Sequence, residues 1–205
     1  MIYEMRTYNM KPGGAVAEFE ASFAESLPHR EKYSKLAAFF HTDFGPLNQV
    51  IHIWPYESLS ERERIVAEAG KDPNWPPKNL DGIVDMTSDI LIPAPFTRPL
   101  GDQALGRFYE MRTYTFRAGT MQEVVKRWEA AMPYREEYSP CAGCFYSDVG
   151  SLNKWVHLWP YNSLDDRLRI RAESTKDPNW PPATREFQIK AENKLLIPAS
   201  FSPMH

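Results

Sequence analysis

The stretch Tyr3-Glu4-Met5-Arg6-Thr7-Tyr8 recurs unchanged as Tyr109-Glu110-Met111-Arg112-Thr113-Tyr114. A longer block, Lys71-Asp72-Pro73-Asn74-Trp75-Pro76-Pro77, returns as Lys176-Asp177-Pro178-Asn179-Trp180-Pro181-Pro182. Other matches lie between and beyond these blocks in the same order: Gly45-x-Leu47-Asn48 with Gly150-x-Leu152-Asn153, His52-x-Trp54-Pro55-Tyr56 with His157-x-Trp159-Pro160-Tyr161, and Leu91-Ile92-Pro93-Ala94 with Leu196-Ile197-Pro198-Ala199. Collinear identity over this length indicates a unit of roughly 100 residues duplicated in tandem.

The repeat divides the chain into three segments. We predict a first repeat over residues 1–95, a linker over 96–106 and a second repeat over 107–205. Pro99, Gly101 and Gly106 suit a short connection between two folded units.

Each repeat shows the same succession of periodicities. Strands are predicted at 2–8, 37–42, 49–54 and 84–92, and in the second copy at 108–114 and 188–197, where β-branched and aromatic residues are frequent. Apolar residues at helical spacing predict a first helix in each copy, and Pro28 and Pro133 are expected to end it. Ser58, followed by Glu61, predicts the start of the second helix, and Ser163 and Asp166 repeat this pattern.

The resulting order, β-α-β-β-α-β, is that of the ferredoxin-like fold. Helices cover only one face of such a sheet, so the other face needs a partner. The second copy supplies one, and we therefore predict an α+β protein in which two ferredoxin-like repeats close into an α/β-barrel within one chain.

Strand alternation assigns side chains to the two faces of each sheet. The apolar row of Ile51, Ile53, Val156 and Leu158 is expected beneath the helices. The opposite row is then expected to point into the barrel interior and to form the ligand-binding site; it consists of Glu4, Arg6, Tyr8, His52, Trp54, Glu110, Arg112, Tyr114, His157 and Trp159.

Two interpretations of this row stay open. In the functional one, His52 or His157 is a general base, Arg6 and Arg112 steer a carboxylate or enolate, and the catalytic candidates are His52, His157, Tyr8 and Tyr114. In the structural one, Glu4 pairs with Arg6 across the barrel mouth and each histidine is a hydrogen-bonded core residue.

Composition excludes several classes of protein. The 205 residues are 42% hydrophobic, and 24 Lys and Arg are balanced by 27 Asp and Glu without a block of one sign. We therefore expect no nucleic-acid or membrane partner and, without a leader pattern at the N-terminus, a cytoplasmic location. A homodimer through the barrel exterior stays open.

The remaining motifs favour structural roles. No ligand-type residue is suitably spaced from His52 or His157, so neither a metal nor another cofactor is expected. Cys141 and Cys144 are expected to be small core residues that face opposite ways on a strand. The Asp72–Pro77 block is interpreted as a rigid elbow anchored by Trp75, and four arginines are expected on solvated helix faces: Arg62, Arg64, Arg167 and Arg169.

The motifs Tyr3-Glu4-x-Arg6-Thr7-Tyr8, Gly45-x-Leu47-Asn48, His52-x-Trp54-Pro55-Tyr56 and Asp72-Pro73-x-Trp75 resemble the NIPSNAP family, and the resemblance runs through both halves. It implies a dimeric α/β-barrel fold. The wider superfamily includes cofactor-free monooxygenases, isomerases and haem-handling enzymes, and eukaryotic members look like mitochondrial and vesicle-associated adaptors. The resemblance transfers no catalytic residue.

The sequence therefore carries two functional hypotheses. The first is a protein that binds a small organic molecule inside the barrel, as an oxygenase or isomerase without a cofactor would. The second is a non-catalytic adaptor that docks a partner protein through exposed elbows.

Overall fold

The computed structural model describes residues 1–101 and 103–205. The predicted linker, 96–106, includes Asp102, which lies outside the described residues. The first repeat contains β1 (Ile2–Met10), α1 (Ala15–Arg30), β2 (Ala38–Phe44), β3 (Gln49–Tyr56), α2 (Leu59–Ala69) and β4 (Ile83–Pro93). The second contains β5 (Phe108–Phe116), α3 (Met121–Glu136), β6 (Gly143–Val149), β7 (Lys154–Tyr161), α4 (Leu164–Ser174), a 3₁₀ turn (Arg185–Phe187) and β8 (Gln188–Pro198).

The strands form one closed barrel in the order β1-β3-β2-β8-β5-β7-β6-β4. Pairing of β2 with β8, and of β4 with β6, joins the repeats, and the strand pairs are antiparallel. The prediction of two ferredoxin-like repeats closing into an α/β-barrel is confirmed. Closure stabilises both sheets because it leaves neither with an unpaired edge.

The barrel interior contains an apolar cluster built from both repeats. Ile51, Ile53, Val156 and Leu158 are at most 1% exposed and belong to this cluster. They pack with Tyr3, Met5, Phe40, Tyr109, Met111 and Phe145, among others. The prediction that the aliphatic row lies beneath the helices is therefore wrong, and the predicted site residues lie on the opposite, helix-covered face.

The inversion has a physical cause. Side chains from both sheets fill the interior, and it buries the more uniformly apolar row of each strand. The layer between sheet and helix holds the mixed aromatic and polar row. Phe19 and Phe23 of α1 pack in this layer, and charged side chains line the pocket that it contains. In this barrel, the more polar row of side chains on β1, β3, β5 and β7 therefore faces the helices.

The first helix of each repeat continues past its proline. Pro28 lies within α1 and Pro133 within α3, so the expectation that these prolines end the helices is wrong. A proline in the last turn removes only one backbone hydrogen bond, which the adjacent packing offsets. The extension brings Arg30 and Arg135 onto the buried side of their helices.

The predicted helix starts are present in both repeats. The Ser58 side chain accepts a hydrogen bond from the Glu61 backbone N–H at 3.1 Å, and Ser163 accepts one from Asp166 at 3.0 Å. Each cap satisfies one backbone donor that the first helical turn leaves free. These caps fix where α2 and α4 begin relative to the pocket described below.

The Gly-x-Leu-Asn motif forms the turn between the second and third strands of each repeat. Gly45 and Gly150 have φ of 110° and 99°, and Asn48 and Asn153 have φ of 58° and 59°. Glycine and asparagine are the residues that adopt such left-handed conformations most readily. The repeated motif therefore sets the register of β2 with β3 and of β6 with β7.

The two cysteines belong to the core of the second repeat, as expected for small buried residues. Their relative orientation differs from the prediction, because Cys141 precedes β6 and its Sγ atom lies 3.6 Å from that of Cys144. Both thiols are free, and burial raises the pKa of Cys144 well above its usual value, with its hydrogen bond to Cys141 adding to the shift.

Within residues 1–101 and 103–205, no helix combines the length and the apolar character needed to cross a membrane.

Candidate functional site

Each repeat contains a pocket between its sheet and its helices. The N-terminal pocket has a volume of about 310 Å³ and the C-terminal pocket one of about 460 Å³. Strands β1 and β3 form the floor of the first pocket, and β5 and β7 form that of the second. Pairing of Arg6 with His52, and of Arg112 with His157, places these side chains next to each other on that floor.

The structure brings nine of the ten predicted site residues to the pocket walls. Glu4, Arg6, Tyr8, His52 and Trp54 line the N-terminal pocket. Their counterparts Arg112, Tyr114, His157 and Trp159 line the C-terminal pocket. Glu110 is the exception: its carboxylate is buried and contacts the lining residues Arg112 and Arg171.

The histidine of each pocket is held by the tryptophan two residues further along the strand. Trp54 Nε1–H donates to His52 Nδ1 at 2.7 Å, and Trp159 Nε1–H donates to His157 Nδ1 at 2.6 Å. Because Nδ1 accepts, the proton of a neutral imidazole is assigned to Nε2. Residues two apart on a strand share a face, which explains the spacing in His-x-Trp.

Both imidazoles are kept neutral. Burial lowers the pKa of His52 well below its usual 6.5, and the charges of Arg6 and Arg30 lower it further. Burial and nearby arginines act on the pKa of His157 in the same direction. The Nε2 atom of each ring is buried and has no hydrogen-bond partner in the described part of the chain. Each neutral ring thus offers an Nε2–H donor, whereas the functional interpretation of the sequence had a general base at His52 or His157.

A buried carboxylate lies beside the floor of each pocket. Glu4 Oε1 accepts from Arg62 Nη2 at 2.5 Å and from Ser88 Oγ at 2.8 Å, and Arg6 Nε lies 4.0 Å away. Burial raises the pKa of Glu4, but these donors and charges outweigh it and leave the pKa below its usual value. Arg6 follows Glu4 on the same strand, so the pair does not span the barrel mouth as the structural interpretation expected.

Glu110 has more cationic neighbours than Glu4. Its Oε1 atom accepts from Arg167 at 2.6 Å, from Asn193 at 3.0 Å and from Arg112 at 3.0 Å. Arg171 Nη1 lies 3.6 Å from Oε2. Burial again raises the pKa, and the hydrogen bonds and charges again lower it below its usual value.

Arg62 and Arg167 therefore differ from the sequence prediction. Both lie on the second helix of their repeat, but their guanidinium groups reach inward to Glu4 and Glu110. A buried carboxylate needs cationic partners, and the second helix of each repeat supplies one of them. Arg64 and Arg169 follow the prediction and pair with acidic residues on the same exposed helix face.

A buried arginine that was not predicted from the sequence stacks on the strand tryptophan of each pocket. The guanidinium carbon of Arg30 lies 4.4 Å from the centre of the Trp54 ring, and that of Arg135 lies 4.1 Å from the Trp159 ring. Arg30 also donates to the Tyr56 hydroxyl at 2.9 Å. Burial lowers the pKa of both arginines, and no carboxylate pairs with either among the described residues. The available sequence signal was Pro-x-Arg, at 28–30 and 133–135.

The candidate tyrosines flank the imidazoles edge to face. The ring centre of Tyr8 lies 5.0 Å from that of His52, and the ring centre of Tyr114 lies 4.8 Å from that of His157. The Tyr114 hydroxyl accepts from Arg112 Nε at 2.8 Å. Burial raises the pKa of Tyr8, so it is a neutral phenol at physiological pH.

The Asp-Pro-Asn-Trp-Pro-Pro elbows close one side of the pockets. Trp75 packs edge to face on Phe23 at 5.5 Å and on Trp54 at 6.1 Å, while Trp180 packs on Trp128 at 5.4 Å and on Trp159. A cis peptide bond joins each of these tryptophans to the following proline. Both indoles line their pockets, so the elbows anchor inward through tryptophan.

The lining of the two pockets is mixed, partly aromatic and partly polar. Aromatic rings, a neutral imidazole donor and buried guanidinium groups surround each cavity, which is a typical composition for small-molecule sites. Across residues 1–101 and 103–205, no group of three His, Cys, Asp or Glu side chains is arranged to hold a metal ion.

An intrachain α/β-barrel with one such pocket per repeat defines the class of protein. The NIPSNAP family model matches residues 3–98 and again 109–203, and the chain belongs to the NIPSNAP family.

Comparisons with known proteins agree with this assignment. The chain is 30% identical over 212 residues to NipSnap homolog 3B of Mus musculus, covering 98% of this chain and 85% of that protein. It is 29% identical over 214 residues to NipSnap homolog 3A of Homo sapiens, covering 100% and 86%. A putative monooxygenase from Fusobacterium nucleatum superposes with a TM-score of 0.66 at 12% identity, covering 96% of this chain and 91% of that one; this likeness shows the shared fold.

Proposed function

We propose that the protein binds a small organic molecule, with an apolar ring body and a hydrogen-bond-accepting oxygen, between the sheet and the helices of each repeat. One observation carries the proposal: in both pockets the imidazole Nε2–H is buried without a partner among the described residues. A buried donor left unpaired costs about 1–3 kcal/mol, which a ligand oxygen would recover. We propose this site between sheet and helices instead of the site in the barrel interior that we predicted from the sequence.

The surroundings of the imidazole support this ligand chemistry. The Trp54 and Trp159 N–H groups fix the rings in the donor tautomer, so neither imidazole has to reorganise when an oxygen binds. Aromatic side chains complete the walls and favour a planar, apolar ligand body.

In the oxygenase and isomerase hypotheses, the oxygen that the imidazole binds is the one that becomes an enolate oxygen. A fixed, neutral imidazole N–H in a buried site is suited to stabilise negative charge that develops on an enolate oxygen. We propose this electrophilic role for His52 and His157, in place of the general-base role. Arg6 and Arg112 lie on the same floor and would add positive charge near that oxygen.

The adaptor hypothesis has weaker support. It required the elbow tryptophans to be presented to a partner, but Trp75 and Trp180 pack against pocket aromatics.

A ligand screen tests the proposal. Aromatic ketones, quinones, phenols and carboxylic acids are added to the protein, and the unfolding temperature is recorded; a ligand at one hundred times its dissociation constant adds about 2.7 kcal/mol of stability. We expect at least one class to stabilise the wild type and to lose most of its effect in His52→Ala/His157→Ala. His41→Ala is the matched control, because His41 pairs with Glu20 and lines neither pocket. A screen without any shift, or shifts that the double variant retains, contradicts the proposal.

A further inference from the structure

One wall is built from the same residue types in both pockets, and the opposite wall is not. The shared wall has identical residue types in both repeats: Arg6, Tyr8, Arg30, His52, Trp54 and Tyr56 correspond to Arg112, Tyr114, Arg135, His157, Trp159 and Tyr161. Both pockets can therefore hold the same aromatic and oxygen-bearing ligand core. Any difference in what they bind must come from the wall opposite.

The second helix contributes one part of that differing wall. Val66 on α2 lines the N-terminal pocket, and Arg171 occupies the matching place on α4. One turn further on, Gly70 corresponds to Thr175. An apolar surface in the first repeat is thus a cationic and hydroxylated one in the second.

The segment leading into the last strand differs in the same direction. Leu80 and Ile83 line the N-terminal pocket, whereas Arg185 and Gln188 line the C-terminal one. Met86 is replaced by Ala191, which accompanies the larger volume of the C-terminal pocket.

The balance of charge in the two pockets differs accordingly. The N-terminal pocket is lined by Arg6 and Arg30 together with the carboxylate of Glu4. The C-terminal pocket is lined by cations without a carboxylate: Arg112, Arg135, Arg171, Arg185 and Lys190.

The positive charge of this pocket exceeds its local counter-charge, because Arg112 and Arg171 share the carboxylate of Glu110 and Arg135 has no ion-pair partner among the described residues. Glu110, the nearest buried carboxylate, already accepts from Arg167, Asn193 and Arg112. Lys190 pairs with Glu192, but Arg185 has no ion-pair partner in the described part of the chain. Guanidinium groups that line a partly closed cavity without a carboxylate partner favour an anionic ligand, because their forked N–H donors match the two oxygens of a carboxylate.

We propose that the repeats have diverged in ligand class: the C-terminal pocket binds an aromatic carboxylate, and the N-terminal pocket binds an uncharged aromatic molecule. This inference rests on the proposed function. The ligand carboxylate would accept from His157 Nε2–H with one oxygen and from Arg171 or Arg185 with the other. In the N-terminal pocket, Val66 and Leu80 would instead contact an apolar edge of the ligand.

Two ligands of equal shape test the charge selectivity. 2-Naphthoate and 2-naphthamide both offer a carbonyl oxygen to His157, but only the acid is anionic at pH 7. Isothermal titration calorimetry on the full chain gives the affinity and the number of sites for each. We expect the acid to bind at one strong site per chain, about tenfold tighter than the amide binds there, as for loss of one charge-assisted hydrogen bond.

Variants assign the strong site to the C-terminal pocket. Arg171→Val/Arg185→Leu installs the residues of the N-terminal pocket, and we expect it to weaken acid binding about tenfold while amide binding changes less than about twofold. Arg169→Val removes one positive charge from the same helix outside the pocket and should leave acid binding nearly unchanged. Circular dichroism confirms that each variant is folded.

The outcomes separate this inference from the function on which it rests. Equal binding of acid and amide, or equal weakening by Arg169→Val, overturns the charge selectivity and leaves pocket binding intact. Absence of binding by both ligands up to millimolar concentration also overturns the selectivity, and the wider screen with its histidine variants then decides the proposed function separately.

Discussion

Replacing Glu110 by glutamine should destabilise the second repeat more than any surface charge change. The side chain is 1% exposed, and its carboxylate is the common acceptor of Arg112, Arg167 and Asn193, with Arg171 at 3.6 Å. Glutamine keeps the volume and one acceptor oxygen but removes the negative charge. The neighbouring guanidinium groups then repel each other without a counter-charge in a partly buried site.

The magnitude follows from the exposure of the partners. Breaking a fully buried ion pair costs about 3–5 kcal/mol, but the Arg112 and Arg167 side chains are 18% and 20% exposed, and solvent screens part of their charge. We expect a loss of about 2–3 kcal/mol in the free energy of unfolding, which lowers the melting temperature of a chain this long by about 5–10 °C.

Urea unfolding followed by circular dichroism, together with calorimetry, measures this loss. Glu173→Gln is the matched control, because Glu173 is half exposed and pairs with Arg169 on the same helix; its effect should stay below about 0.5 kcal/mol. If Glu110→Gln costs no more than Glu173→Gln, the buried charge cluster does not stabilise the fold as described.

Three further predictions address the core and the titrating groups. Ile53→Ala should cost about 2–5 kcal/mol in urea unfolding, as for cavity formation in a packed barrel interior, whereas Leu152→Ala in an exposed turn should cost less than about 0.5 kcal/mol; equal effects would contradict a packed interior. Because the folded-state pKa values of Glu4 and Glu110 are lowered, they contribute stability that is present above about pH 4.5 and is lost as pH falls toward the folded-state values. Glu4→Gln/Glu110→Gln should therefore flatten the acid side of the curve of unfolding free energy against pH, and an unchanged curve would refute this assignment. In NMR titrations, His52 and His157 should stay neutral as pH falls through 6.5 while His41, whose pKa Glu20 raises, protonates above that value; charging of the pocket histidines near pH 6.5 would contradict their burial.

The sequence was sufficient for the architecture. The identical blocks at 3–8 and 109–114 fixed the duplication, and the change of periodicity within each copy predicted the strand and helix order. The uncovered sheet face then required closure, and the strand pairs β2–β8 and β4–β6 provide it. The turns were equally local, since Gly45 and Asn48 adopt the left-handed conformations that glycine and asparagine reach most readily.

The sequence showed which site residues share a face within each repeat, but it placed them on the wrong face and in one common site, whereas the structure separates them into two pockets. Alternation shows which side chains share a face, because the period of a strand is two; it does not show which face the helices cover. The expectation that polar rows face the barrel interior failed since both repeats fill that interior with apolar side chains such as Ile53 and Leu158. Chain closure decided the question, and closure is a tertiary property.

Other site residues depended on contacts between distant segments. Arg62 was expected in solvent because its neighbours on the helix are charged, yet it reaches Glu4, 58 positions away. Arg30 lies beyond the proline at which the sequence predicted the end of the helix, so its stacking on Trp54 was not predicted. Comparing the two repeats position by position offered one usable signal, because Arg30 and Arg135 match while Val66 and Arg171 do not.

A crystal structure of the protein soaked with 2-naphthoate would show where the ligand binds. We expect the ligand between α3 and the strands β5 and β7, with a carboxylate oxygen within hydrogen-bond distance of His157 Nε2. The barrel interior should stay filled by its apolar side chains. Ligand density inside the barrel, or on the surface away from both pockets, would show that the sheet–helix pockets are not the binding sites.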